Sequence, residues 1–210
     1  MNSLIAIFFT ALVVALSGAM MPGPLLTVTI SESAKKGFIV GPMLIAGHAI
    51  LELLLLIALL LGLGPLLKNE LFFIIIAFVG GLVMLWMALG MFRSLPTLSV
   101  SFTGESKARN NLLITGSLMS LVNPYWIIWW ATIGIGYIVL SQKPGFWGIT
   151  LFYLGHITGD LLWYSAISFA VSKGKRLFTD TVYRILIAIC GAFLVAFSIY
   201  MVITGFQKLL

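Results

Sequence analysis

Long apolar runs separated by short charged clusters constrain this chain more than any other feature. They cover residues 4–30, 38–67, 71–92, 111–140, 146–172 and 184–207. Each reaches the roughly 20 residues that a helix needs to cross ~30 Å of hydrocarbon. Strict apolar–polar alternation, the mark of a lipid-facing barrel strand, is missing. Composition agrees, with 61% of residues hydrophobic and 9% charged, against about 25% charged in soluble domains. The expected fold is an all-α integral membrane protein with six transmembrane helices and no soluble domain. A cleavable signal peptide over residues 1–21 is the competing reading of the first run. It is disfavoured, because Met1, Asn2 and Ser3 supply no basic residue and "MMPGP" is a poor small-residue cleavage site.

The net charge of +6 does not point to nucleic acid, because its distribution follows the loops. With six spans, the loops at 31–37, 93–110 and 173–184 share one side. That side holds Lys35, Lys36, Arg93, Lys107, Arg109, Lys173, Lys175, Arg176 and Arg184, against Lys68, Lys143 and Lys208 on the other. Cytoplasmic loops carry such an excess. The expectation is a multi-pass plasma (inner) membrane protein with both termini outside and the basic loops cytoplasmic. The run at 172–176, "SKGKR", then serves orientation and contact with anionic lipid headgroups. The single Cys190 excludes an internal disulfide or a two-thiol relay and reads as a packing residue.

Three spans, a polar loop and three more spans divide the chain into a first three-helix repeat (1–92), a connecting loop (93–110) and a second repeat (111–210). Gly-His-x-x-x-acid occurs once in each, as Gly47-His48…Glu52 and Gly155-His156…Asp160. Gly80-Gly81 and Gly191 fall at comparable places on the third helices. A proline break also occurs once per repeat, at Pro22-Gly23-Pro24 and at Asn123-Pro124. An odd number of spans per repeat inserts the two in opposite orientations. Paired broken helices in inverted repeats are the best sequence pointer to a transporter binding site.

Proline lacks the amide hydrogen and displaces the carbonyl four residues back, which here belongs to Gly18, Met20 or Ser120. Unpaired backbone groups cost several kcal/mol each in hydrocarbon, so such breaks persist only beside protein or a wet cavity. Beyond each break a helix restarts, with Asn123 as a good N-cap before Pro124 and Gly23 as a weaker one before Pro24. Free amides and the positive dipole end suit a carboxylate there. Gly18, Met20, Pro22, Gly23, Pro24, Ser120, Asn123, Pro124 and Trp126 are therefore the candidate substrate-binding residues. A lone proline kink would be a packing device; the pair favours a site.

Glu52 and Asp160 fall near the middle of their runs, where an acid costs on the order of 2.5 kcal/mol or more and faces the bundle interior. His48 and His156 lie one turn earlier on the same helix faces. Burial penalises the charged carboxylates, which makes proton uptake and release available. These four are the candidates for proton coupling or ammonium binding; the structural alternative is a polar clasp. Trp126, Trp129 and Trp130 lie too close to the second break for a simple interfacial belt, and offer either a cation–π face or packing. Gly37, Gly41, Gly47, Gly134 and Gly136 read as close helix contacts.

With these residues in hand, the chain resembles the LysE/RhtB family of amino-acid exporters, the lysine and homoserine/threonine efflux proteins. The resemblance runs the whole length and is strongest at "MPGPLLTVTISESAKKGFIVGPMLIAGH" and "NPYWIIWW". It implies proton-driven export of amino acids from the cytoplasm by a six-helix protein that associates with itself. Pro22, Gly23, Pro24, Asn123 and Pro124 match its motif by position. The leading expectation is thus a secondary exporter of an amino acid or related small zwitterion, working by proton antiport with alternating access, its partners being substrate, protons and lipid. No cofactor and no resident metal site are expected. Divalent transition-metal efflux through the His/Glu/Asp cluster is the alternative. An enzyme is not expected, since no nucleophile motif accompanies the histidine–acid pairs.

Overall fold

The computed structural model describes residues 2–63, 65, 69–98, 111–174 and 179–209. Lys68, Lys107, Arg109, Lys175 and Arg176, and most of the loop expected at 93–110, lie outside them. Helices and the turns joining them make up the described residues. In chain order they are α1 (Asn2–Ala19), α2 (Pro24–Lys36), α3 (Val40–Ala58), α4 (Glu70–Ser94), α5 (Leu112–Leu121), α6 (Pro124–Gln142), α7 (Phe146–Lys173) and α8 (Asp180–Leu209).

Local chemistry sets several of these ends. The Asn69, Asn111 and Asn123 side chains accept from the amides of Phe72, Leu113 and Tyr125 and cap α4, α5 and α6, as the preference for Asn at N-caps requires. Gly37, at φ 82°, ends α2 in a conformation that a side chain would strain. Both expected breaks are present. α1 and α2 meet at 83°, and Val122-Asn123 separates α5 from α6. Within α6 the chain loosens into a π turn over Trp130–Gly134, an irregularity often found at functional sites.

Among the described residues four helical stretches are long and apolar enough to cross a membrane, those beginning at Val40, Glu70, Pro124 and Asp180, and the bent pair α1–α2 brings the number to five if it is counted as one span. The expected fifth run, now α7, has the length at 28 residues but is not apolar enough. It carries Gly155, His156, Thr158, Gly159 and Asp160 in succession around Ile157, the very residues that make it interesting. Its buried polar side points inward, with His156 4% and Asp160 4% exposed.

The helices pair across the chain. α1 packs along α7, α5 along α3, and α4 along α8. Interchanging stretches 1–92 and 111–210 maps these pairings onto one another. Small residues permit the close approaches. A Cβ at Gly47 would fall on the Leu113 carbonyl of α5, and one at Gly155 on the Phe8 carbonyl of α1. The glycine in each Gly-His-x-x-x-acid motif thus seats its helix against the backbone of its partner, and the adjacent histidine turns to the interior. Outward faces are apolar: Leu71, Ile75, Val79, Leu82 and Trp86 of α4 and Ile185, Ile189, Ile199 and Ile203 of α8 are all exposed. Such continuous apolar surface suits lipid rather than water.

The basic ends gather at one pole. Lys35, Lys36 and Lys173 line one cavity, and Arg184 Nε donates to the Leu98 carbonyl at 2.8 Å. At the other pole Lys208 lies 3.4 Å from Glu70. Cys190 is buried in the packing between helices.

Candidate functional site

Both breaks and both acids open onto one cavity of about 50 Å³. From the first break it takes Gly18 and Gly23, and from the second Ser120, Asn123 and Trp126; His48, Glu52, His156 and Asp160 complete its polar wall. The two breaks touch there, since a Cβ at Gly23 would lie 3.4 Å from Asn123 Nδ2. Met20, Pro22, Pro24 and Pro124 do not line it. Met20 is 50% exposed, and Pro124 packs against Gly80 of α4. Their contribution is to shape the backbone.

The four titratable residues form a tetrad at its centre. His48 Nε2 lies 3.1 Å from Glu52 Oε1 and 3.4 Å from Asp160 Oδ2. His156 Nε2 lies 3.0 Å from Glu52 Oε2 and 3.4 Å from Asp160 Oδ2. Each histidine therefore meets the acid one turn along its own helix, as its spacing predicts, and also the acid of the other helix. The sequence alone did not pair α3 with α7. That pairing follows from Tyr153 donating to the Ala49 carbonyl at 2.8 Å and from α1 and α5 flanking the two helices.

The acids differ in their support. Glu52 Oε1 accepts from Trp126 Nε1 and Trp130 Nε1, each at 2.9 Å. Two indole donors on a 1%-exposed carboxylate compensate its desolvation. The signal for this was legible as tryptophans one turn apart after the break, but only the pairing of α6 with α3 aims them at Glu52. Asp160 has no such donors; its buried Oδ2 makes no hydrogen bond among the described residues beyond its approach to the histidines. The histidines differ likewise. Ser120 Oγ donates to the Gly116 carbonyl at 2.8 Å and lies 2.7 Å from His48 Nδ1. With its one proton committed, it accepts from Nδ1–H. His156 Nδ1 is buried without a partner, and the ring is boxed by Trp129, Trp130 and Phe152, with centroids at 4.6, 5.7 and 6.1 Å. Trp129 thus packs on His156 while also lining the cavity.

The helix ends are less bare than their prolines imply. The Gly18 carbonyl accepts from the Met21 amide at 3.2 Å and that of Ser120 from the Asn123 amide at 3.1 Å. Tightened turns at each break satisfy those two groups, which corrects the expectation that they are freed. At the α6 end, Asn123 Oδ1 takes the Tyr125 amide and the Asn123 carbonyl takes that of Trp126. At the α2 end, Gly23 offers no side-chain cap, so among the described residues the amides of the buried Leu25 and Leu26 are not capped by a side chain. The first break is the more open of the two. Sequence reasoning did not place Ala15, Ala19, Met21, Leu25, Tyr125, Trp129 or Tyr164 on the cavity wall; most are apolar and had no chemical signature.

Comparison with known proteins adds one finding. The family described as LysE type translocator matches residues 16–205. No curated relative and no solved structure matches the chain.

Proposed function

Since the chain belongs to the LysE type translocator family, a family of membrane transporters, we propose that it exports an amino acid or related small zwitterion from the cytoplasm by proton antiport. One observation carries the reading: both helix breaks and both mid-helix acids converge on a single buried cavity. A zwitterion needs a donor set for its carboxylate and an acceptor for its ammonium in one chamber. The open α2 end and Asn123 Nδ2 supply the first. Asp160, the acid without indole donors, supplies the second, while Glu52 is anchored by Trp126 and Trp130. His48 and His156 bridge both acids and offer a route by which a proton and an ammonium exclude one another at Asp160.

In this reading 1–92 and 111–210 are inverted three-helix repeats joined by a cytoplasmic loop, α7 is the remaining span, and the chain crosses the plasma (inner) membrane six times with both termini outside. Self-association follows from the family resemblance. Alternating access exposes the cavity to each side in turn. The test is efflux from proteoliposomes loaded with a panel of amino acids, with and without a pH gradient. Gradient-dependent efflux of one or more is expected, and Asp160→Asn should abolish the coupling. Flux of no amino acid on the panel, or full coupling in Asp160→Asn, removes the reading. Metal efflux, the alternative, has no separate support from the family match and is not adopted as the function.

A further inference from the structure

We propose that His48, Glu52, His156 and Asp160 form a binding site for a divalent transition-metal ion of the zinc and cobalt class. The inference concerns binding, not export, and does not depend on which solute the protein moves.

The donor set comes first. Two imidazoles and two carboxylates each offer one ligand atom, and those four atoms lie within 4.8 Å of one another. Around a tetrahedral ion with bonds of 2.0–2.1 Å, neighbouring donors stand about 3.3 Å apart. The four histidine–carboxylate separations in the tetrad run from 3.0 to 3.4 Å. The two edges to Asp160 Oδ2 already have the length of a coordination tetrahedron; His48 meets Glu52 through Oε1 and His156 through Oε2, so the set contracts onto a single Glu52 oxygen when an ion binds.

Orientation comes second. A metal-bound histidine ordinarily donates its other ring N–H to a neighbouring group, which fixes the ring. His48 does so, with Nδ1–H on Ser120 and Nε2 turned to both acids. Glu52 is held in the same way. Its Oε1 is occupied by two indoles, and its Oε2, buried and without a hydrogen bond, is turned to His156. Asp160 Oδ2, equally buried and also without a hydrogen bond, lies 3.4 Å from both imidazoles. Carboxylate oxygens with no other hydrogen bond converge here with one imidazole oriented by Ser120 and a second held by the aromatic rings around it, and such a convergence points to a cation. With neutral imidazoles the tetrad carries two negative charges, which one divalent ion neutralises.

Selectivity comes third. Imidazole nitrogens favour zinc, cobalt and their neighbours over calcium and magnesium, which take oxygen sets. The capped α6 end, whose first amides are spent on Asn123, removes one source of cation repulsion from the site. The cavity of about 50 Å³ lined by all four residues gives an ion room to enter.

Titration of the purified, chelator-stripped full-length protein with cobalt(II) tests this. The expected result is a visible absorption band of four-coordinate intensity that saturates at one ion per chain and is bleached by zinc. His156→Ala and Glu52→Gln should weaken binding by more than ~100-fold, and Ser120→Ala, which removes the group that orients His48 and no ligand, by about 10-fold. Elution profile and thermal midpoint of each variant report whether it folds, and Ser120→Ala keeps the test decisive if a ligand variant does not. A weak six-coordinate spectrum, no saturation, or binding unchanged in His156→Ala and Ser120→Ala overturns the proposal. The readout is binding without transport, so its failure leaves the exporter reading standing, and failure of amino-acid efflux leaves this one standing.

Discussion

Glu52 and Asp160 read alike in the sequence, each an acid one turn after a histidine, yet they hold different positions. Glu52 is tied by two indole N–H groups, each a hydrogen bond to a charged group, of the kind contributing about 1.5–3 kcal/mol. Trp130→Phe keeps the ring's bulk and deletes one of them. Its expected effect is about a 10-fold loss in efflux rate from proteoliposomes, with a thermal midpoint close to that of the parent. The two histidines also part company at a single neighbour. Under the interchange that maps Leu113 onto Phe8, Ser120 falls on Ala15, so His156 lacks the hydroxyl that His48 has. Both residues line the cavity. The repeated motif made the tetrad legible in the sequence because histidine, acid and glycine recur at one spacing. The tryptophan donors and the missing hydroxyl were not legible, since they depend on which helix lies opposite.

At the scale of the helix, the breaks were readable, because proline and asparagine act through local backbone chemistry, and the glycine contacts only in part: Gly41 and Gly47 meet neighbouring backbones, whereas Gly37 and Gly136 have open space around them. What happens to the groups at a break was less readable. The carbonyls of Gly18 and Ser120 each find an amide three residues on, a closure decided by the path of the chain. Asn123→Ala removes the α6 cap and should cost about 0.5–2 kcal/mol of stability, read as a lower thermal midpoint, together with weaker substrate binding. The glycine seats predict a sharper effect. Gly47→Ala and Gly155→Ala each place a methyl on a neighbouring backbone carbonyl, where overpacking typically costs about 1–3 kcal/mol. Gly136→Ala, with open space around it, is the control that should change little. Thermal unfolding in detergent compares the three.

For the molecule as a whole, part of the expected segregation of charge falls on described residues: Lys35, Lys36 and Lys173 share one cavity, and Arg184 reaches Leu98. Which pole faces the cytoplasm is a matter for labelling. In a Cys190→Ser background, a membrane-impermeant maleimide added to intact cells should label Lys143→Cys and spare Lys173→Cys; the opposite pattern would invert the orientation. Apolar length alone could not establish α7 as a span, because the same stretch is lined with site residues.

The cross-chain pairing also restricts what can travel as a rigid piece. Were residues 1–92 to tilt as a block against 111–210, Gly47 would have to leave the Leu113 carbonyl and Gly155 that of Phe8, tearing two of the close backbone seams among the described residues. The interlaced couples, α1 with α7 and α3 with α5, keep those seams closed when they move, and part instead at the Gly41–Tyr164 and Ala49–Tyr153 contacts between α3 and α7. Each couple brings its own histidine and acid, so any parting of the couples pulls the tetrad apart along the line between Glu52 and His156.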